Sequence, residues 1–181
     1  MIKITKNKHD IIISRVNTET GESESFEYDS DNRLVHYVCS NGNWIKYTYA
    51  TVIINEQECT EILELYPDGT WYKRLMDEFD NEVYYENSAG NWIKRKYIYS
   101  TLLYEERSNG YWRIVKYDDD DMKISDVDSD GKFEYYDYDE FNNIIFYRDN
   151  TGFWERKAFN SSDFIILKQD SNGTHIEYEY I

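Results

Sequence analysis

Three histidines, two cysteines and an excess of carboxylates are the side chains from which this chain could build a reactive site. His9, His36 and His175 lie far apart, in different segments. No serine or cysteine stands beside a histidine at the spacing of an activated nucleophile. Cys39 and Cys59 form no CxxC pair and have no paired histidines beside them, so no zinc ligand set is present. The glycines never cluster, which removes a phosphate-cradling loop. The run Asp118, Asp119, Asp120, Asp121 offers the oxygen donors that calcium takes, without the spaced ligands and central glycine of a calcium loop. A glycosidase-like carboxylate pair could be drawn almost anywhere. Aspartate recurs here where turns need it. The sequence predicts no enzyme, no cofactor and no metal.

The elements that position these residues are set by glycine. The eight glycines stand at 21, 42, 69, 90, 110, 131, 152 and 173. By subtraction, the gaps are 21, 27, 21, 20, 21, 21 and 21 residues. Trp44, Trp71, Trp92, Trp112 and Trp154 each follow a glycine by two positions, and Phe133 fills the same place. Seven positions after the glycine the residue is aromatic in every unit but one, as in Tyr28, Tyr49, Tyr97, Tyr117 and Tyr138. Seven positions before it stand Val35, Ile62, Val83, Leu103, Ile124, Ile145 and Ile166. These aliphatics suit a pleated strand, and the column reads as the core.

Each glycine closes a turn such as SNG at 40–42 or SDG at 129–131. A second turn in each unit is rich in Asp and Asn, as in YDSDN at 28–32. Each unit is thus strand, acidic turn, strand, glycine turn. The predicted fold is all-β: an extended, twisted antiparallel meander of about eight 21-residue β-hairpin repeats. Residues 1–20 are expected to add capping strands, and 21–181 to form one repeat domain. The longer gap predicts a bulge or protruding loop near 51–61. The tryptophan and tyrosine columns differ in parity, which places them on opposite faces unless a bulge intervenes. Lys46, Lys73, Lys94 and Arg156 share parity with tryptophan, where their stems can cover the rings.

Charge points to a class of partner. Twenty basic residues against 36 acidic ones leave a net charge of -16. Such a surface repels nucleic acid and anionic lipid and favours a basic protein. No stretch approaches the roughly 20 apolar residues of a membrane span. The expectation is a soluble cytoplasmic chain that binds neither membrane nor nucleic acid directly. An open last strand offers an edge for a homodimer. The candidate partner-binding residues are the aromatics Trp44, Trp71, Trp92, Trp112 and Trp154, with Asp118, Asp119, Asp120, Asp121, Asp128 and Asp130.

The stretches FDNEVYYENSAGNWIKRKY (79–97) and YDEFNNIIFYRDNTGFWERKAF (138–159) resemble bacterial YD/RHS-type repeats. Tyr28-Asp29, Tyr117-Asp118 and Tyr138-Asp139 match the tyrosine-aspartate element, and the resemblance covers roughly 21–181. Large members of that family wind strands into a shell around a toxin. This chain is too short for that and is similar instead to small stand-alone relatives. The resemblance implies a small phage or bacterial protein, some of which are inhibitors or immunity factors. The charge of -16 on an extended scaffold without a reactive site leads to the expectation of an acidic inhibitor that blocks a basic, nucleic-acid-handling protein such as a nuclease or CRISPR effector. The alternatives are a bacterial immunity protein against a nuclease toxin, and a carbohydrate-binding module that uses the aromatic ladder.

Overall fold

The computed structural model describes residues 1–180. Among them lie seventeen strands and no helix, and the strands pair antiparallel with their sequence neighbours. The chain divides into two compact units, Met1–Ile93 and Lys94–Ile181. In the first, β1 (Ile2–Lys6), β2 (Ile12–Asn17), β3 (Ser23–Tyr28), β4 (Leu34–Cys39), β5 (Trp44–Ile54), β6 (Gln57–Leu65), β7 (Trp71–Met76) and β8 (Glu82–Asn87) each pair with the next. Then comes β9 (Trp92–Ile98). In the second unit, β10 (Thr101–Arg107), β11 (Trp112–Tyr117), β12 (Lys123–Asp128), β13 (Phe133–Tyr138), β14 (Ile144–Asp149), β15 (Trp154–Phe159), β16 (Ile165–Asp170) and β17 (His175–Glu177) do the same. The expected meander of hairpins is observed.

The two kinds of turn share one geometry. In the acidic turn, the Asp29 N–H donates to the Arg33 carbonyl at 3.0 Å and the Asn32 N–H to the Asp29 carbonyl at 3.1 Å. In the glycine turn, the corresponding bonds from Cys39 and Gly42 are 2.9 and 3.0 Å. Both are three-residue loops whose last residue is left-handed, with φ of 62° at Asn32 and 91° at Gly42. Glycine fills that place at one end of the hairpins, and Asp80, Asp121, Asn142 and Asp163 fill it at the other. The leading aspartate ties the loop: Asp118 Oδ1 accepts the N–H groups of Asp120 and Met122 at 3.1 and 2.9 Å. Asp29, Asp77 and Asp139 do the same in their own turns.

The aliphatic column is not the core. Tyr28 pairs with Leu34 and Glu27 with His36, so Val35 is an extra residue without a partner across the hairpin. Val83, Ile124, Ile145 and Ile166 are skipped in the same way. Each is the inserted residue of a β-bulge, which sharpens local twist, and Ile166 is 37 % exposed. Ile62 differs, because β5 and β6 keep unbroken register from Lys46↔Leu65 to Ile54↔Gln57. The extra residues near 51–61 therefore lengthen a regular hairpin and form no loop. Its tip is a two-residue turn, with φ of 49° at Asn55 and 70° at Glu56.

Apart from β6 and β7, which pair over six positions across Gly69, strands joined by a glycine turn pair over three, as from His36↔Lys46 to Val38↔Trp44. Beyond them the strands part, and the tyrosine column bridges the fork. The Tyr49 hydroxyl donates to the Leu34 carbonyl at 2.9 Å, Tyr28 to Ile12 at 3.0 Å, Tyr138 to Lys123 at 2.8 Å and Tyr180 to Ile165 at 2.8 Å. These four units are thereby fastened to the ones before them by a side chain, where backbone pairing has ended; Met76 and Phe159, in the same column, have no hydroxyl to do so.

Candidate functional site

The sheet presents two chemically different faces. On β11, Arg113, Val115 and Tyr117 alternate with Trp112, Ile114 and Lys116. The first set is covered, with Val115 at 4 % exposure, whereas Trp112 and Ile114 are 37 % and 38 % exposed. The bulge lies in the facing strand, so it does not bring the tyrosine and tryptophan columns to one side.

The tyrosine face of the second unit carries a ladder of ion pairs. Arg95 and Arg107 close on Glu105 at 2.8 and 2.6 Å. Arg113 grips Asp126 with Nε and Nη2, both at 2.8 Å, and Lys132 adds a third contact at 3.1 Å. Lys123 and Lys132 reach Glu134 at 3.0 and 3.5 Å. Lys157 and Lys168 meet on Glu155. The Arg113 hydrogen bonds outweigh burial at Asp126 and hold its carboxyl down at about 2. At Glu105 burial pushes the carboxyl up, but the two guanidiniums win and its pKa is lowered. In the first unit, Arg74 pairs with the buried Glu64 at 3.2 Å. Burial and the hydrogen bond to Glu64 push the Tyr66 hydroxyl up to about 12. This face is internally satisfied, and no buried polar side-chain atom in it lacks a partner.

The tryptophan face is more open and differently charged. In the second unit Ile114 lies opposite Val127 and Val127 opposite Phe133. A straight row of paired positions then crosses five strands: Lys116, Ser125, Tyr135, Arg148 and Trp154. The Arg148 guanidinium lies over the rings of Phe133 and Tyr135, at 5.0 and 5.4 Å from their centroids. In the first unit the Lys46 ammonium sits 5.3 Å from the Trp44 ring, as the shared parity predicts.

The expected partner-binding residues are distributed over both units. Trp44, Trp71 and Trp92 belong to the first unit, and Trp112 and Trp154 to the second. Asp118, Asp119, Asp120 and Asp121 form the turn before β12, and Asp128 and Asp130 the turn after it. The two acidic groups thus sit at opposite ends of one strand. Only the second approaches a tryptophan, through the Ser129 N–H on the Trp112 carbonyl at 2.9 Å. Asp118 and Asp128 are occupied in tying their loops, with Asp128 Oδ1 accepting from Asp130 and Lys132. Asp119, Asp120, Asp121 and Asp130 are exposed. Reasoning from sequence missed Glu140 and Asp163, exposed in the two following acidic turns. Their signal was the repeat itself, since Glu140 follows Asp119 by 21 residues. The Asn143 amide bonds Asp163 at 3.1 Å, so these successive turns touch.

Residues with catalytic potential are scattered. His36 Nδ1 lies 3.7 Å from Glu27, His175 contacts Gln169 and Glu177, and His9 is exposed. Cys39 and Cys59 are free thiols. A groove of 520 Å³ lined by Arg107, Tyr111, Ser129 and Asp130 holds no nucleophile paired with a base. Among the described residues no three His, Cys, Asp or Glu side chains converge as a metal site would require.

No protein-family model and no curated protein matches the chain. Solved structures do align with it. A chain in the crystal structure of TcdB2-TccC3-Cdc42 matches 92 % of this chain at 12 % identity, with a TM-score of 0.41. A chain of TcdB2-TccC3 matches 92 % at 13 % identity and 0.41, and one of TcdB2-TccC3-TEV 94 % at 9 % and 0.39. This chain spans only 9 %, 9 % and 11 % of those chains. Identities and scores at this level assign neither a family nor an activity.

Proposed function

We propose that this chain is an acidic binding protein that blocks a basic, nucleic-acid-handling protein, in the manner of a phage anti-defence or anti-CRISPR inhibitor. The observation that carries the reading is the acidic-turn edge of the second unit. Asp119, Asp120, Asp121, Glu140 and Asp163 stand exposed in three successive turns, and those turns contain no lysine or arginine. The tyrosine-face cations Arg113, Lys123 and Lys132 are each paired with carboxylates of their own face. A row of uncompensated carboxylates on a chain of net charge -16 attracts a cationic surface over several ångströms and steers its approach. Occlusion of the partner's nucleic-acid site would follow from the bulk of the sheet behind the edge.

The relation to small YD/RHS-type repeat proteins belongs to the same proposal. The turn geometry supports it, because Asp29, Asp118 and Asp139 of the tyrosine-aspartate pairs each tie a loop. An immunity protein that plugs a basic nuclease would use the same edge. The test is capture from a bacterial lysate, with the retained protein identified. The expected partner is basic, and its retention falls steeply between about 0.1 and about 0.5 M salt. Retention that ignores salt would place the binding energy in the aromatics and remove the acidic edge from the account.

A further inference from the structure

Cations in the second unit are sorted by face. On the tyrosine face Arg95, Arg107, Arg113, Lys123, Lys132, Lys157 and Lys168 each hold a carboxylate. On the tryptophan face Lys116, Arg148 and Arg156 are exposed and hold none. Lys96, exposed on β9 with the parity of Trp92, is a further cation of this face without an ion pair. Lys116, Arg148 and Arg156 lie among the half-exposed Trp112, Ile114 and Trp154. Arg156 lies opposite Phe146, two residues before Arg148 on the same strand, so the two guanidiniums are diagonal neighbours.

From this we infer that the tryptophan face of the second unit is a separate docking surface for an acidic polypeptide segment, one in which carboxylates alternate with apolar side chains. The face also carries Glu106 and the exposed Asp137, which accepts the Tyr135 hydroxyl at 2.6 Å, but its cations outnumber them. The surplus is complementary to such a segment and opposes the basic partner proposed for the turns. Lys116 and Arg148 are three strand intervals apart, about 14 Å, with Tyr135 between them. An extended segment crossing the strands would place carboxylates on the two cations and an aromatic or aliphatic side chain between. Arg148 already lies on the rings of Phe133 and Tyr135 and keeps its planar donors available for a bidentate carboxylate. A nucleic-acid strand also offers anions and rings, but its denser charge meets the full repulsion of the acidic chain. This inference does not rest on the function proposed for the turns.

The test uses the full chain and three probes: a glutamate–tyrosine copolymer, a lysine–tyrosine copolymer and oligo-dT, followed by tryptophan fluorescence and calorimetry. The glutamate–tyrosine copolymer should bind, and the Arg148→Glu/Arg156→Glu variant should bind it at least tenfold more weakly. The Asp119→Asn/Asp120→Asn/Asp121→Asn variant should bind it as well as the parent or better, while losing the lysine–tyrosine copolymer. Should the charge-reversed protein fail to fold by circular dichroism, Arg148→Gln/Arg156→Gln is measured instead and should show at least a threefold loss. Undiminished binding by a folded arginine variant overturns the inference. So does preference for oligo-dT, or absence of binding by the glutamate–tyrosine copolymer. Loss of lysine–tyrosine binding alone would bear on the acidic turns and leave this surface standing.

Discussion

Replacing Asp126 by asparagine should lower stability by about 2 to 3 kcal/mol. The carboxylate is 1 % exposed and accepts two hydrogen bonds from Arg113 and one from Lys132. Its removal would leave Arg113 without its anchor and Lys132 with Glu134 alone, at 3.5 Å. Breaking a buried pair by removing one partner costs about 3 to 5 kcal/mol. Arg113 is 36 % exposed and recovers part of that from water, which sets the lower figure. In a chain of this size each kcal/mol moves Tm by roughly 2 to 4 °C, so the melt should fall by about 4 to 12 °C. The same contact gives a pH signature. The folded carboxyl titrates at about 2, below its ordinary 3.8. Its contribution is therefore fully present above about pH 4 and is lost as pH falls through about 2, worth about 2 kcal/mol at this depression. Urea unfolding of parent and Asp126→Asn between about pH 2 and about pH 6 measures both effects. The two stabilities should converge at the acid end. A constant difference across that range, or a loss below about 0.5 kcal/mol at neutral pH, would refute the reasoning.

Other consequences follow from the turns, the forks and the thiols. Tyr138→Phe removes the hydroxyl that closes its fork at 2.8 Å and should cost about 1 kcal/mol in a denaturant melt. Gly110→Ala, at φ 88°, should destabilise by about 1 kcal/mol, whereas Asp121→Gly, at φ 61°, should be neutral or mildly stabilising. Opposite signs are expected because the two places have the same geometry and opposite occupants. Cys39 is partly accessible, while Cys59 is 3 % exposed and burial raises its thiol. A thiol reagent should therefore label Cys39 in the native protein and Cys59 only on unfolding, as peptide mass analysis would show.

The hairpin repeat was legible because glycine and aspartate are the residues that accept or tie its turns. That the two turns are alike was not, since Gly42 and Asn32 reach one left-handed conformation by different chemistry. The bulge was hidden because alternation has no mark for an inserted residue. Val35 reads as a core position from its type, and only the pairing of Tyr28 with Leu34 exposes it as an insertion. The ion-pair ladder was equally silent. Positions that hold Glu105 and Asp126 in two units hold Tyr37 and Tyr147 in others, so no single residue type repeats down the column. For the candidate site, the aspartate run was visible, but its continuation through Glu140 and Asp163 required the turns to be aligned. The separation of the tryptophan and tyrosine columns onto opposite faces followed from parity, though the sorting of free cations onto one face did not.

The central claim is that the exposed carboxylates of the acidic turns, rather than the tryptophan face, engage a basic partner. The dissociation constant of the captured protein, measured against salt for the parent, Asp119→Asn/Asp120→Asn/Asp121→Asn and Arg148→Glu/Arg156→Glu, tests it directly. The account predicts at least tenfold weaker binding and a shallower salt dependence for the aspartate variant, with no weakening for the arginine variant. Equal affinity and equal salt dependence of parent and aspartate variant would contradict it.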